Sequence, residues 1–560
     1  MENITERRAA LMEKAEQTFI RFLEDDKQLD YPDFDAMWSR IEQNMPAADA
    51  KPLPVDMTAP KRTRLRKVAI AASLAAVLVA SPVIAAISIN WDHILSYRSG
   101  VQSALEQGLG QTIEKSVTID GVTMTVHTAI VDENRTVLLY SLSAAGEPKD
   151  SLYFSTMELK DASGGKIEGQ HSQFWDKDNK TFNGYFETEW TPNGLEADVQ
   201  LTASRLQSFS SAERDITLDP TSDKLQTFDI QQDGIGQMTV RPFVQGEKML
   251  LDTAVSFNQE EAKKWAFPHI GVFKGDTLLK EASPGAFGKP GENGEYTGKQ
   301  YYGLSDLSDG SAKYKLLYTR EERRIDKDWT FELHLDKKSM LSGTVKQSLN
   351  VPVPFPDGAM TLKEMIVTPT QIRLKASHEK YLRIPYLDFA LDVDGTILKG
   401  GRWGGFDNPE ETTFRFELPH GVKVTEQTPV SFVAKYEVLE HKDAKEPIKL
   451  TNISVEKQTL TTKVGGYDVL WTYYKQDGKL YVQSECADPS FGGVNQTYMG
   501  SGDSRLIGKQ VTTNFSGDGN NRAIDEYADF TGTEADINIF WYYTESPDKE
   551  LRVPFHGQDK

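Results

Sequence analysis

The sequence predicts a mainly β ectodomain of tandem immunoglobulin-like β-sandwich modules. It is carried on a small α-helical cytosolic N-terminus and one transmembrane helix. Three observations predict this. Beyond residue 110, apolar residues alternate with polar ones in short runs rich in Val, Thr, Tyr and Phe, bounded by Asp, Asn, Gly and Pro. A strand–turn–strand unit recurs from Met124, Met238, Met360 and Tyr467, at intervals of 114, 122 and 107 residues. One uncharged apolar run of 22 residues, Val68 to Ile89, precedes all of them.

The N-terminal segment, 1–45, reads as two amphipathic helices. Over residues 3–26, Leu11, Ala15, Phe19 and Phe22 follow one helical face, and Asn3 and Glu6 have the spacing of a capping box. Tyr31-Pro32 breaks the chain and Asp33 can cap a second helix. The apolar face of that helix is Phe34, Met37, Trp38, Ile41 and Met45, and Pro46 ends it. Two helices this short expose more apolar surface than they can bury against each other. Two readings stay open: a segment that folds on binding a partner, and a self-packed hairpin or helices lying on the inner membrane face. Residues 1–60 hold 7 basic and 13 acidic side chains, a net of −6, which disfavours an anionic inner leaflet.

Residues 46–67 read as a Pro/Ala tether ending in a basic stop, Lys61, Arg62, Arg64, Arg66 and Lys67. The run 68–89 follows at once. As a helix it spans roughly 33 Å, enough for a hydrocarbon core of about 30 Å. The five cations before it place the N-terminus in the cytosol, and Trp91 suits the far membrane–water boundary. A cleaved export signal and a buried core helix compete with this reading. The 67 preceding residues argue against the first, and the basic block and lack of charge against the second.

A short helix is predicted over Gly100–Gln107, and four β modules follow, at 90–225, 226–352, 353–457 and 458–560. Each contains one of the recurring hairpins, and the interval is near the size of one β-sandwich. The first hairpin is VTMTVHTAIV, the turn Asp132-Glu133-Asn134, then TVLLYSLS. The Pro-rich VPVPFP at 351–356 reads as a boundary between the second and third modules.

Composition narrows the function. The chain has 560 residues, 38 % hydrophobic and 26 % charged, room for about three to five folded domains. Its formal charge of −20 is wrong for direct nucleic-acid binding, which needs clustered cations. Cys486 is the only cysteine, so no intrachain disulfide and no Cys-rich zinc cluster can form. Local motifs for serine hydrolysis, zinc proteolysis and phosphate or dinucleotide binding are missing, and the closest histidines, His420 and His441, lie 21 residues apart. No enzyme activity, cofactor or metal is expected. Asp392-Val393-Asp394-Gly395 and Asp176-Lys177-Asp178-Asn179 resemble calcium loops slightly, but ordinary turns use the same residues. The string Gly400 to Gly405 around Trp403 reads either as a stacking platform for sugar or peptide, or as a Gly-rich loop whose Trp plugs a sandwich end.

The stretch from the basic block through GVQSALEQGLGQTIEKSVTIDGVTMTVHTAIVDENRTVLLYSLS resembles a family of single-pass membrane proteins of Gram-positive bacteria. The defining domain of that family has no assigned function. GAMTLKEMIVTPTQIRLKA is similar to a β-domain that often follows it. Genes of the family commonly neighbour an extracytoplasmic-function sigma factor, and the proteins are treated as anti-sigma factors. The resemblance therefore implies a sigma factor as partner of the N-terminal helices, a bilayer around 68–89, and a sensor outside whose ligand is unknown. Leu11, Phe19, Phe22, Phe34, Met37, Trp38 and Ile41 would form the partner surface. The His-x3-Cys-x2-Cys zinc pattern of many anti-sigma domains is absent from residues 1–67, so these helices would work without zinc. The alternative is a cell-surface protein that binds wall polymer or carbohydrate, with an incidental cytosolic tail.

Overall fold

The computed structural model describes residues 91–556, apart from 145–150, 292, 308–309, 380–381, 405–408, 426, 443–445, 502–503, 513–516 and 518–520. The expected cytosolic helices, the tether and the apolar run 68–89 lie outside the described residues. Among the described residues no helix is long and apolar enough to cross a membrane. They are mainly β, and every ladder is antiparallel.

All four predicted hairpins form. Val122–Val131 pairs with Thr136–Ala144, Ile235–Gln245 with Lys248–Phe257, Gly358–Val367 with Gln371–His378, and Tyr467–Gln476 with Lys479–Cys486. Each contributes alternate residues to a separate apolar cluster. The predicted helix also forms, as Ser99–Glu106, behind a single turn Asp92–Leu95.

In the first sandwich the sheet runs, in order, Gln111–Ile119, Val122–Val131, Thr136–Ala144, Thr181–Thr188 and Gln170–Asp176. Its inner face meets Ser151–Asp161 and parts of two long strands, Glu196–Ile216 and Ala312–Asp336. Trp329 is fully buried there, its indole N–H donating to the Val122 carbonyl at 3.3 Å and its ring edge-on to Phe154. The outer face of the same sheet is apolar as well. Ile130, Val137, Leu139 and Tyr185 are covered by Ile94, Leu95, Val101 and Ala104 of the two helices.

The two long strands do not stop at the edge of the first core. Their other halves, with His269–Lys274, cover the sheet built on the second hairpin, where Tyr314, Leu316, Tyr318, Ile270 and Val272 are buried. One ladder from Tyr314/Ile216 to Asp336/Glu196 thus runs through both sandwiches. Bulges between Glu321 and Arg323 and between Ile325 and Asp328 mark the waist. Across the waist the buried positions change from even-numbered (314, 316, 318) to odd-numbered (329, 331, 333, 335), because bulges re-aim side chains. Arg324 pairs there with Glu321 and Glu261, and Arg205 with Asp326.

The third and fourth sandwiches share strands in the same way. Ala535–His556 gives Ile537, Ile539 and Tyr542 to the fourth core, and Leu551, Val553 and Phe555 to the third. Val430–His441 pairs along both halves of it. The Pro-rich run, read as a module boundary, is paired as a strand. Residues 351–355 belong to Val345–Phe355, the first strand of the third sheet, with Pro352 and Pro354 on its exposed positions. An edge strand tolerates proline because the missing N–H costs no ladder bond. The glycine string is not a loop at its start: Thr396–Gly404 is an interior strand, and a Cβ on Gly400 would sit 2.2 Å from the Arg415 carbonyl.

One buried carboxylate in the fourth sandwich has no cation beside it. Asp525 Oδ2 accepts from the Thr497 backbone N–H and hydroxyl, while Oδ1 has no partner. Burial outweighs those two bonds and pushes its pKa up to about 7. The folded state then holds a proton that the unfolded state releases near pH 4. Stability contributed here is complete at low pH and falls as pH rises from about 4 to about 7, by on the order of 4 kcal/mol. Asp525→Asn is expected to flatten this decline, gaining stability over the parent at pH 8 but not at pH 4, as read by urea unfolding.

Candidate functional site, a buried ion-pair junction

The turn of the first hairpin does more than reverse the chain. Asp132 Oδ1 accepts the backbone N–H groups of Asn134 (2.7 Å) and Arg135 (3.0 Å), which fixes the turn locally. Asp132, Asn134 and Arg135 are all buried, because the third sandwich sits on them. Asn134 Nδ2 donates to the carbonyls of Ile366 (3.2 Å) and Gln371 (3.3 Å). The Thr370 hydroxyl donates to Asp132, and Arg373 donates to the Asn134 carbonyl.

Arg135 is the centre. Its two terminal nitrogens fork onto Glu417 at 2.7 and 2.8 Å, and one of them also reaches Glu187 at 3.1 Å. Nε donates to the Thr370 hydroxyl and Nη2 to the Thr370 carbonyl. Every N–H-bearing nitrogen of the guanidinium is engaged, the geometry for which arginine is suited. Burial works against its charge, but Glu417, then Glu187, outweigh it and hold the guanidinium above its ordinary pKa. Glu187 shows the same balance from the other side. Burial pushes it up, and Arg135 and Arg98 pull it down to about 2. At the rim Glu133 bonds Lys337 (2.7 Å) and Lys346 (2.6 Å), and both hold its carboxyl below the usual range.

The junction also grips the first helices. Arg98 donates to Glu187 at 2.7 Å and lies over the Tyr185 ring at 4.0 Å. The Gly100 N–H donates to Glu417 at 3.1 Å. A Cβ on Gly100 would fall 1.7 Å from the Thr370 carbonyl oxygen, so only glycine lets the helix approach. Helix, first sandwich and third sandwich therefore meet at two carboxylates, Glu187 and Glu417. The second and fourth sandwiches meet through an apolar contact instead, Phe243, Leu250 and Tyr301 against Tyr474, Tyr481, Val511 and Ile524. Arg241 reaches across it to Tyr481 and Asp477.

The partner-binding stripe Leu11, Phe19, Phe22, Phe34, Met37, Trp38 and Ile41 lies outside the described residues, as do Lys61, Arg62, Arg64, Arg66 and Lys67. Trp91 is described: it is half-buried against the helix cluster and edge-on to His127. Trp403 is 39 % exposed with the Arg415 guanidinium 4.5 Å over its ring, and Arg415 pairs with Glu189. The two calcium-like strings serve as turns. Asp176 accepts from the backbone N–H groups of Asp178 and Asn179, Asp392 from that of Gly395, and Asp392 also pairs with Arg552. Cys486 is buried. Among the described residues no group of three His, Cys, Asp or Glu side chains could hold a metal ion. What sequence reading missed is the junction. An Arg directly after an Asp-Glu-Asn turn was its only local signal, and Glu417 lies 282 residues away.

Residues 60–144 match the family model described as a domain of unknown function, DUF4179. That stretch contains the first hairpin and Arg135. Among curated proteins none matches the chain in sequence. A solved structure described as the crystal structure of the conserved domain protein from Bacillus anthracis aligns with 60 % of this chain and 83 % of its own, at 8 % identity and a TM-score of 0.32. That likeness is too slight to bear on fold or function.

Glu187 gives the junction a pH signature. Its stabilisation is complete above pH 4.5 and is lost as pH falls through about 2. Glu187→Gln is expected to cost about 3 kcal/mol at pH 7 and nearly nothing at pH 2, measured by denaturant unfolding at both pH values.

Proposed function

We propose that this chain is a single-pass membrane regulator. In this reading residues 68–89 span the bilayer with the N-terminus in the cytosol. The N-terminal helices hold a sigma factor of the extracytoplasmic-function type, and the β sandwiches read the envelope outside. The observation that carries the proposal is the grip on Ser99–Glu106. That helix begins ten residues after the apolar run ends, and Gly100 and Arg98 tie it to Glu417 and Glu187. A shift between the first and third sandwiches would therefore act at the base of the membrane segment.

Two further features support it. The DUF4179 match covers the apolar run, the helix and the first hairpin together. The junction also leaves Asn134 Oδ1, Gln371 Oε1 and Arg373 Nε buried without partners. Each such group costs about 1–3 kcal/mol, so the closed state is held with little margin and an outside event can open it. A single membrane helix transmits shape change poorly, and release by proteolysis next to the membrane is the route this reading favours. No catalysis by the chain itself is part of it.

The stripe supplies the test. Full-length chain purified from membranes of its host is expected to bring down one sigma factor, and Phe22→Ala with Trp38→Ala is expected to lose it. Equal recovery with both chains, or no sigma factor with either, would defeat the proposal and favour a surface-binding protein with an incidental tail.

A further inference from the structure

The described chain starts at Trp91, two residues beyond the apolar run, and the surface around that start is unusual. His93 is exposed and its ring stacks on Phe174 at 3.7 Å, nearly parallel. Phe174 lies on the last strand of the first sheet and is itself 42 % exposed. Tyr97, four residues after His93, is 55 % exposed. Trp91, two residues before His93, faces the helix cluster and His127 instead. The two stretches that carry these rings, HILSY at 93–97 and QHSQFW at 170–175, contain no Asp, Glu, Lys or Arg, in a chain that is 26 % charged.

The position of Phe174 needs explanation. The outer face of this sheet is sealed by the two helices at Ile130, Val137, Leu139 and Tyr185. Phe174 stands on the same outer face, opposite Asn183, with His93 of the first helical turn stacked on its ring and 42 % of its surface left exposed. A solvent-facing edge strand ordinarily carries polar or charged side chains. Aromatic rings with one apolar and one polar end are instead favoured at the membrane–water boundary.

We infer that Tyr97, Phe174 and His93 form a docking surface for the headgroup layer of the outer membrane leaflet, so that the first sandwich rests on the bilayer. This rests on the reading that 68–89 spans the membrane. Trp91 follows the run by two residues, a reach of roughly 7 Å, which in that reading puts this patch beside the bilayer. Docking fixes the tilt of the first sandwich. Motion of the outer sandwiches then concentrates at the Arg135 junction instead of being lost by swinging about residue 90.

The test uses full-length chain in vesicles of phosphatidylcholine and phosphatidylglycerol, with an environment-sensitive dye on single introduced cysteines. Native Cys486 is buried, and unsubstituted chain serves as the labelling blank. Dye at Tyr97→Cys and at Phe174→Cys is expected to emit to the blue and to be quenched by nitroxide-bearing lipids. Dye at Leu470→Cys, 40 % exposed in the fourth sandwich, is expected to stay water-like. If 97 and 174 behave like 470 while the protein resists alkaline extraction, the span stands and the docking surface is overturned. If alkali strips the protein from the vesicles, the spanning reading fails and takes the docking surface with it.

Discussion

The way the helix Ser99–Glu106 and the first and third sandwiches meet depends on the buried Arg135. Arg135 is buried away from bulk water, and moving such a charge out of water costs several kcal/mol. Glu417, Glu187 and Thr370 replace that solvation with a bidentate fork and three further bonds. The pair as a whole need not add net stability, since buried ion pairs often only break even against apolar packing. What it adds is directional. Removing either carboxylate strands a charge, so the first and third sandwiches meet in one register, and the helix leading out of the apolar run meets them both.

The rest of the molecule makes that contact matter. Long strands shared between cores weld the first sandwich to the second, and the third to the fourth. Two sandwiches on one ladder share backbone bonds on both sides of its waist and cannot part without breaking them. The pairs are joined to each other at two places of different character. Near the helices the join is polar and incompletely satisfied; between the second and fourth sandwiches it is aromatic. Apolar contacts tolerate small slides, whereas a fork of charged hydrogen bonds is either made or broken. A relative shift of the pairs would pivot on the aromatic contact and be registered at Arg135.

Much of this was legible in the residues. The alternation in VTMTVHTAIV and its three counterparts fixed four hairpins, since period two with one face buried leaves little choice of register. The helix at 100–107 followed from GVQSALEQ and its flanking glycines. Strand sharing was not legible. In AKYKLLYTREERRIDKDWTFELHLD the middle stretch TREERRIDK is charged and reads as a loop between two strands, yet the ladder runs through it with two bulges and it sits between two cores. That VPVPFP is paired as a strand was not legible either: proline breaks an interior strand but fits an edge, and edge status is a property of the whole sheet. The junction was hidden because its energy lies between residues 282 apart, and no local spacing records a contact of that kind.

The central claim is that Glu417 in the third sandwich holds the helix Ser99–Glu106. Amide hydrogen exchange on the full-length chain tests it most directly. With Glu417→Ala, the account predicts faster exchange in 99–106 and at the Asp132–Arg135 turn, while the cores around Trp329 and Trp471 keep their protection. Unchanged protection of 99–106 in that variant, with the fold intact, would contradict it.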